Sequence, residues 1–150
     1  MASEIAEFHR NLGVEYFNAT WALIDKTDRT PDDDYNMILM AQASRFHWGF
    51  AGTQVEFQAG DWLVSKVYYI LGHKEECMFT AKRCLDICLG ENIEGFHLAF
   101  AYEGMARAYK LNGDEEKFRQ FQAMAMEKAG LVEDEDDRNY TISEIEKNNF

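Results

Sequence analysis

Proline is almost absent, with one residue in 150, Pro31. Long stretches are therefore free of the residue that breaks a helix from within. Basic residues are also scarce: 15 Lys and Arg stand against 27 Asp and Glu, a net charge of −12. Phosphate neutralisation needs a basic face, so this balance argues against a nucleic-acid partner. It equally disfavours docking on an anionic membrane surface. No apolar run approaches the roughly 20 residues that span a bilayer. The opening Met1-Ala2-Ser3-Glu4-Ile5-Ala6-Glu7 lacks the positive region and apolar core of a signal peptide. Cysteines number three, all between Cys77 and Cys88. An odd, clustered set fits reduced thiols in a cytoplasmic protein and not a disulfide framework.

What is present suffices for a core. Apolar residues make up 47% of the chain and aromatic ones 14%, enough for one compact domain without a metal or disulfide staple. Breakers cut it into helices. The first is predicted from about Ser3 to Lys26, with Ile5, Phe8, Leu12, Tyr16, Ala19 and Leu23 at helical spacing, widened by Phe17, Trp21 and Ile24. Thr30-Pro31-Asp32-Asp33 starts the second, a hydroxyl cap followed by proline and acids at the positive helix end. It stops near Gly49 to Gly52. The capping box Thr53-Gln54-Val55-Glu56 opens a third, which ends at Gly72. A fourth covers about His73 to Leu89, a fifth about Asn92 to Leu111, and a sixth, capped by Asp114, reaches about Gly130. Short loops make neighbours antiparallel. The expected organisation is one all-α domain over residues 1–130, with hairpins at about 1–49, 53–90 and 92–130.

Residues 131–150 differ in character, with seven acids and two bases, a net of −5. The remaining 130 residues carry −7, so a basic pocket among them is compatible with the total charge. Ile142 and Ile145 would give a short seventh helix one apolar edge, and the segment then caps the last helix pair. A regulatory acidic tail or plain disorder are the alternatives, and the sequence leaves open whether this segment folds over a cationic stripe.

The chain also repeats itself. Val64 to Glu76 overlies Met105 to Lys117 with Gly72 on Gly113, an offset of 41 residues. Each copy has an apolar residue, a small one, a tyrosine three later and a glycine four after that. Small residues follow each turn: Cys77, Ala81 and Cys84 in the first copy and Ala125 in the second. Small residues let antiparallel helices approach closely, and the tyrosine fills the gap beside them. This pattern resembles the tetratricopeptide repeat, with Val64, Ser65, Tyr68, Gly72, Cys77, Ala81, Cys84 and Leu85 in one unit. Tyr102, Met105, Ala106, Tyr109, Gly113 and Ala125 take the matching places in the next. The resemblance covers about half the chain. It departs at the offset, which is usually about 34 residues, at Phe118, at Gln122 and in the missing closing proline. Residues 1–49 fit it poorly. Ala41 to Trp48 also resembles a stretch carried by a family of bacterial proteins, and no activity comes with that likeness.

The resemblance implies antiparallel hairpins stacked as a short right-handed superhelix of six to seven helices, with the first helix of each hairpin lining a concave groove. Trp62, Lys66 and Tyr69 would lie on one such helix, and Phe100, Glu103, Arg107 and Lys110 on the next, each set stepping by three or four residues. Three cations beside three aromatics suit a carboxylate-bearing peptide or an anionic small molecule. The plain alternative is a solvated face in which Glu103 pairs with Lys110 or Arg107. Arg45 and His47 are expected in the last turn of the second helix, beside its negative end. With Trp48 they are secondary ligand candidates, because Trp48, His47 and Trp62 could converge across the Gly49–Gly52 turn.

Catalytic chemistry finds no foothold. Glu94-x-x-His97 lacks the second Glu-x-x-His and the further glutamates of a di-iron site. The cysteines lack a second pair for zinc and fit better as small packing residues. No phosphate-binding glycine loop or nucleophile elbow occurs. The leading expectation is a non-catalytic module, without cofactor or metal, that binds a protein or peptide. The alternative is a small-molecule binder or enzyme with a polar pocket near Arg45, His47, Trp62, Glu103 and Arg107. A homodimer through an open end of the stack is a third.

Overall fold

The computed structural model describes residues 2–148, and these form seven helices and no strand. They are α1 (Ala2–Asp25), α2 (Pro31–Ala51), α3 (Gln54–Leu71), α4 (Lys74–Gly90), α5 (Phe96–Leu111), α6 (Glu115–Gly130) and α7 (Glu135–Glu146). No helix among the described residues is long and apolar enough to cross a membrane.

Local chemistry sets most helix ends. The Thr30 side chain accepts from the Asp33 amide while Asp33 accepts from the Thr30 amide, at 3.1 and 3.0 Å. Thr53 and Glu56 make the same reciprocal pair before α3. These bonds satisfy amide donors that have no partner inside the helix. Gly72 and Gly113 close α3 and the α5–α6 turn in the left-handed region, at φ 78° and 80°. One start differs from expectation: α5 begins at Phe96, not near Asn92. Asn92 and Gly95 both have positive φ, 55° and 69°, so no right-handed helix can run through them. The seventh helix starts at Asp134, whose carboxylate accepts from the Asp137 amide at 2.8 Å.

Consecutive helices pack in pairs, α1 on α2, α3 on α4 and α5 on α6. Between pairs, α2 meets α3 and α4 meets α5, while α1, α3, α5 and α7 touch in succession. Small side chains fill the α4–α5–α6 core: Cys77, Ala81, Cys84, Cys88, Ala99, Ala108, Ala125 and Ala129 are all buried. Met37, Ala41, Leu63, Val64 and Val67 form a second core where α2 meets α3.

The first hairpin is closed by Trp48. Ser44 Oγ donates to the Gly13 carbonyl at 2.7 Å, which brings α2 against α1. A Cβ at Gly13 would lie 2.8 Å from the Trp48 ring, and one at Gly52 would lie 2.9 Å from it. The indole thus lies close against both glycines, and a methyl at either would force it to shift. Overpacking of this kind costs about 1–3 kcal/mol, against up to about 1 kcal/mol that alanine gains over glycine in a helix. Gly13→Ala is expected to lower stability by about 1–2 kcal/mol, measured by urea unfolding. Gly90→Ala, with nothing within 4 Å of the new methyl, is the control that should not destabilise.

Candidate functional site

A row of aromatic rings crosses the four odd-numbered helices, one ring from each. Trp21 of α1 lies 6.0 Å from Trp62 of α3, Trp62 lies 5.6 Å from Phe100 of α5, and Phe100 lies 6.4 Å from Tyr140 of α7. Phe17, Gln58, Ala59, Phe96, His97 and Glu144 complete the lining of a cavity of about 290 Å³ along this row. The packing of α1, α3, α5 and α7 in succession sets the row.

Beside the rings lie charges with little access to water. Trp62 Nε1 donates to Glu103 Oε1 at 3.0 Å, and Asn148 Nδ2 donates to Glu103 Oε2 at 2.9 Å. The same carboxylate forms an ion pair with Arg107, whose side chain is 2% exposed. That contact is not aligned as a hydrogen bond, and none of the three guanidinium nitrogens has a hydrogen-bond partner among the described residues. Its carbon instead sits 5.0 Å from the Trp62 ring and 5.7 Å from Tyr69. Lys66 lies 5.4 Å from Trp21 and 5.5 Å from Trp62, and no described carboxylate pairs with it. Burial first, and then the Arg107 charge, push the Lys66 ammonium down to about 8. Lys66 and Arg107 thus share a poorly solvated place with Glu103, and Glu144 of the cavity lining adds a second negative charge that acts on Lys66.

At the other end of the row, Gln58 Nε2 donates to His97 Nδ1 at 2.9 Å. Gln58 Oε1 accepts from the thiols of Cys84 and Cys88, both at 3.5 Å. With Nδ1 accepting, neutral His97 carries its proton on Nε2, and burial lowers its basicity.

Of the expected groove residues, Trp62, Lys66, Tyr69, Phe100, Glu103 and Arg107 do come together. Arg107 is not the open cation that its spacing suggests: it is buried and paired with Glu103. Lys110 stands apart, donating to the Asn148 carbonyl and lying 5.0 Å from Phe118. The secondary candidates do not converge with Trp62. The second helix continues to Ala51, so Arg45 and His47 precede its last turn. Arg45 donates to Asp61 at 3.0 Å, His47 shares a hydrogen bond with His9 at 2.8 Å, and Trp48 fills the α1–α2 interface. Arg45, His47 and the Glu103–Arg107 pair thus occupy three separate neighbourhoods, and the polar pocket expected to join them does not form.

Several lining residues were not read as site residues from the sequence. Phe17 and Trp21 appear there only as a widened apolar stripe, and His97 only as a partner for Glu94. The signal was spacing: Phe17 and Trp21 are one turn apart, as are His97 and Phe100. Tyr140, Glu144 and Asn148 reach the site through the packing of α7 on α5 and α6, for which the sequence carries no local signal. Among the described residues no group of three His, Cys, Asp or Glu side chains could hold a metal ion. Comparison with protein-family profiles, curated proteins and solved structures gives no match to this chain.

Two measurements test these electrostatics. Lys66 holds fewer protons folded than unfolded between about pH 8 and its ordinary value of 10.5. Its contribution to stability therefore rises with pH across that window, and the full penalty applies below it. Lys66→Met is expected to be more stable than wild type at pH 7, by on the order of 3 kcal/mol. That difference should shrink as urea unfolding is repeated from pH 8 to 10. Glu103→Ala leaves the Arg107 charge buried without a counter-ion and should cost about 3–5 kcal/mol in the same assay at pH 7.

Proposed function

We propose that this chain is a non-catalytic binding module whose groove, lined by α1, α3, α5 and α7, takes a short peptide segment of a partner protein. The observation that carries the reading is the four-ring row with the unpaired Lys66 beside it. An apolar side chain of the peptide would enter the 290 Å³ cavity. An adjacent Asp or Glu would meet Lys66, and His97 Nε2–H would donate to a peptide carbonyl. Lys66 supports an acidic occupant, since it lies against the Trp21 and Trp62 rings and forms no ion pair with a described carboxylate.

The arrangement we infer for the fold is tetratricopeptide-like, with hairpins stacked as a right-handed superhelix. Gly72 and Gly113, 41 residues apart and both left-handed, support it, as does the succession of odd-numbered helices along one face. The three buried free thiols suit a reducing compartment such as the cytoplasm.

The test is a peptide array in which an apolar residue adjoins Asp or Glu, with binding to selected peptides followed by tryptophan fluorescence. Peptides selected on the wild type should bind at least tenfold more weakly to Ala59→Phe, which fills the cavity, and to Lys66→Met, which removes the cation. Equal binding to both variants would remove the groove from consideration.

A further inference from the structure

A second depression lies on another side of α3. Asp61, Val64 and Tyr68 project about 100–160° around the helix from Trp62, at 100° per residue, and floor a furrow between α2 and α4. Its volume is about 530 Å³. Phe46 of α2 and Phe79 of α4 stand on its two walls and are 67% and 64% exposed. Phe46 belongs to a stripe that runs the length of α2, with Tyr35, Leu39 and Phe50 also exposed. These residues recur at steps of four, seven and four, so they share one face of the helix, with Gln42 between the two pairs. Singly exposed apolar residues need no explanation, whereas several large ones on one face beside a cavity mark an interaction surface.

Charge along the furrow is ordered. Glu75 and Glu76 lie in the first turn of α4. Arg83 lies two turns later, about 10 Å further along the axis. There it stands 3.7 Å from the buried Asp61, which Arg45 also holds. Arg83 is half exposed and Asp61 is not, so the accessible charge at this end is positive. One end of the furrow is therefore acidic and the other basic.

The geometry points to a second copy of this chain as the occupant, docked by a two-fold axis perpendicular to the furrow. The same patch carries both the projecting rings and the cavity that would receive them, which is the self-complementarity that an isologous interface requires. The two-fold operation also lays Glu75 and Glu76 of one copy over Arg83 of the other, twice. A copy related by simple translation along the furrow would not match in this way. The proposed peptide groove faces away from this contact and stays open in the dimer.

The experiment is sedimentation equilibrium of the full chain from about 1 to 200 µM. The mass is expected to rise from 17.4 kDa toward twice that value. Phe46→Ser, a change at an exposed site, should raise the dissociation constant at least tenfold. Glu75→Arg with Glu76→Arg should abolish the dimer, as should Arg83→Glu. Combining all three reversals in one chain should restore it, because every cross-axis pair is then opposite again. Restoration would separate a lost contact from a lost fold. A monomer at every concentration would overturn the proposal and leave this face to a different protein. A dimer indifferent to Phe46→Ser, or one that the combined reversal fails to restore, would overturn it equally.

Discussion

Glu103 is the point on which three helices depend. From α5 it accepts from the Trp62 indole of α3 and from Asn148, just beyond α7, while lying against Arg107 one turn along its own helix. Each contact fixes something else. The indole bond orients the ring at the centre of the aromatic row. The Asn148 bond holds the end of the chain's last helical segment at the groove, and the ion pair allows a guanidinium to exist at 2% exposure. A buried charge without its partner is far more costly than a buried apolar side chain, so the carboxylate is obligatory once Arg107 is present.

Such a centre is a poor way to gain stability. Well-packed apolar residues in place of a buried ion pair are often neutral or stabilising, and Lys66 adds a second desolvated cation that lacks a described carboxylate. Local chemistry elsewhere in the chain is consistent: capped helix starts, left-handed glycines at turns and alanines at helix crossings. Departures from that consistency concentrate where Trp62, Lys66, Glu103 and Arg107 meet. Sites that break local rules are where function is expected. The larger furrow differs in this respect, because its buried Asp61 is already held by Arg45 and Arg83.

The helices themselves were legible because their signals are local. Thr30 with Asp33 and Thr53 with Glu56 each announce a start within four residues, and Gly72 and Gly113 mark turns by a conformation few other residues adopt. Periodicity places Trp62, Lys66 and Tyr69 on one stripe and Phe100, Glu103 and Arg107 on another, and the likeness to a helical repeat implies that the two stripes meet. Depth cannot be read in this way. Spacing places Arg107 on a stripe with Glu103, but whether that stripe meets water depends on Trp62, Tyr69 and the region of α7, which are distant from it along the chain. The same limit explains Trp48 and His47. Their place is set by Gly13 and His9 on the preceding helix, and nothing in the Ala41–Trp48 stretch itself says which neighbour will accommodate an indole. The early start expected for α5 failed for a different reason, since Asn92 in the left-handed region is individually uncommon and carries little warning in sequence.

α3 unites the two surfaces. It is the one helix that packs against α1, α2, α4 and α5, and its residues split cleanly by direction. Trp62, Lys66 and Tyr69 point to the ring row, while Asp61, Val64 and Tyr68 floor the furrow. An amphipathic surface helix has one apolar stripe and one solvated face; α3 packs against four other helices, and several of its polar residues are held by specific partners. Asp61 meets Arg45 and Arg83, Gln58 meets His97 and the thiols, and Trp62 meets Glu103. Asp61 and Trp62 are adjacent in the chain, so a rotation of α3 that opened one surface would displace the polar contacts of the other. The position of this central helix is what would keep the proposed peptide groove and the proposed self-association face independent of one another.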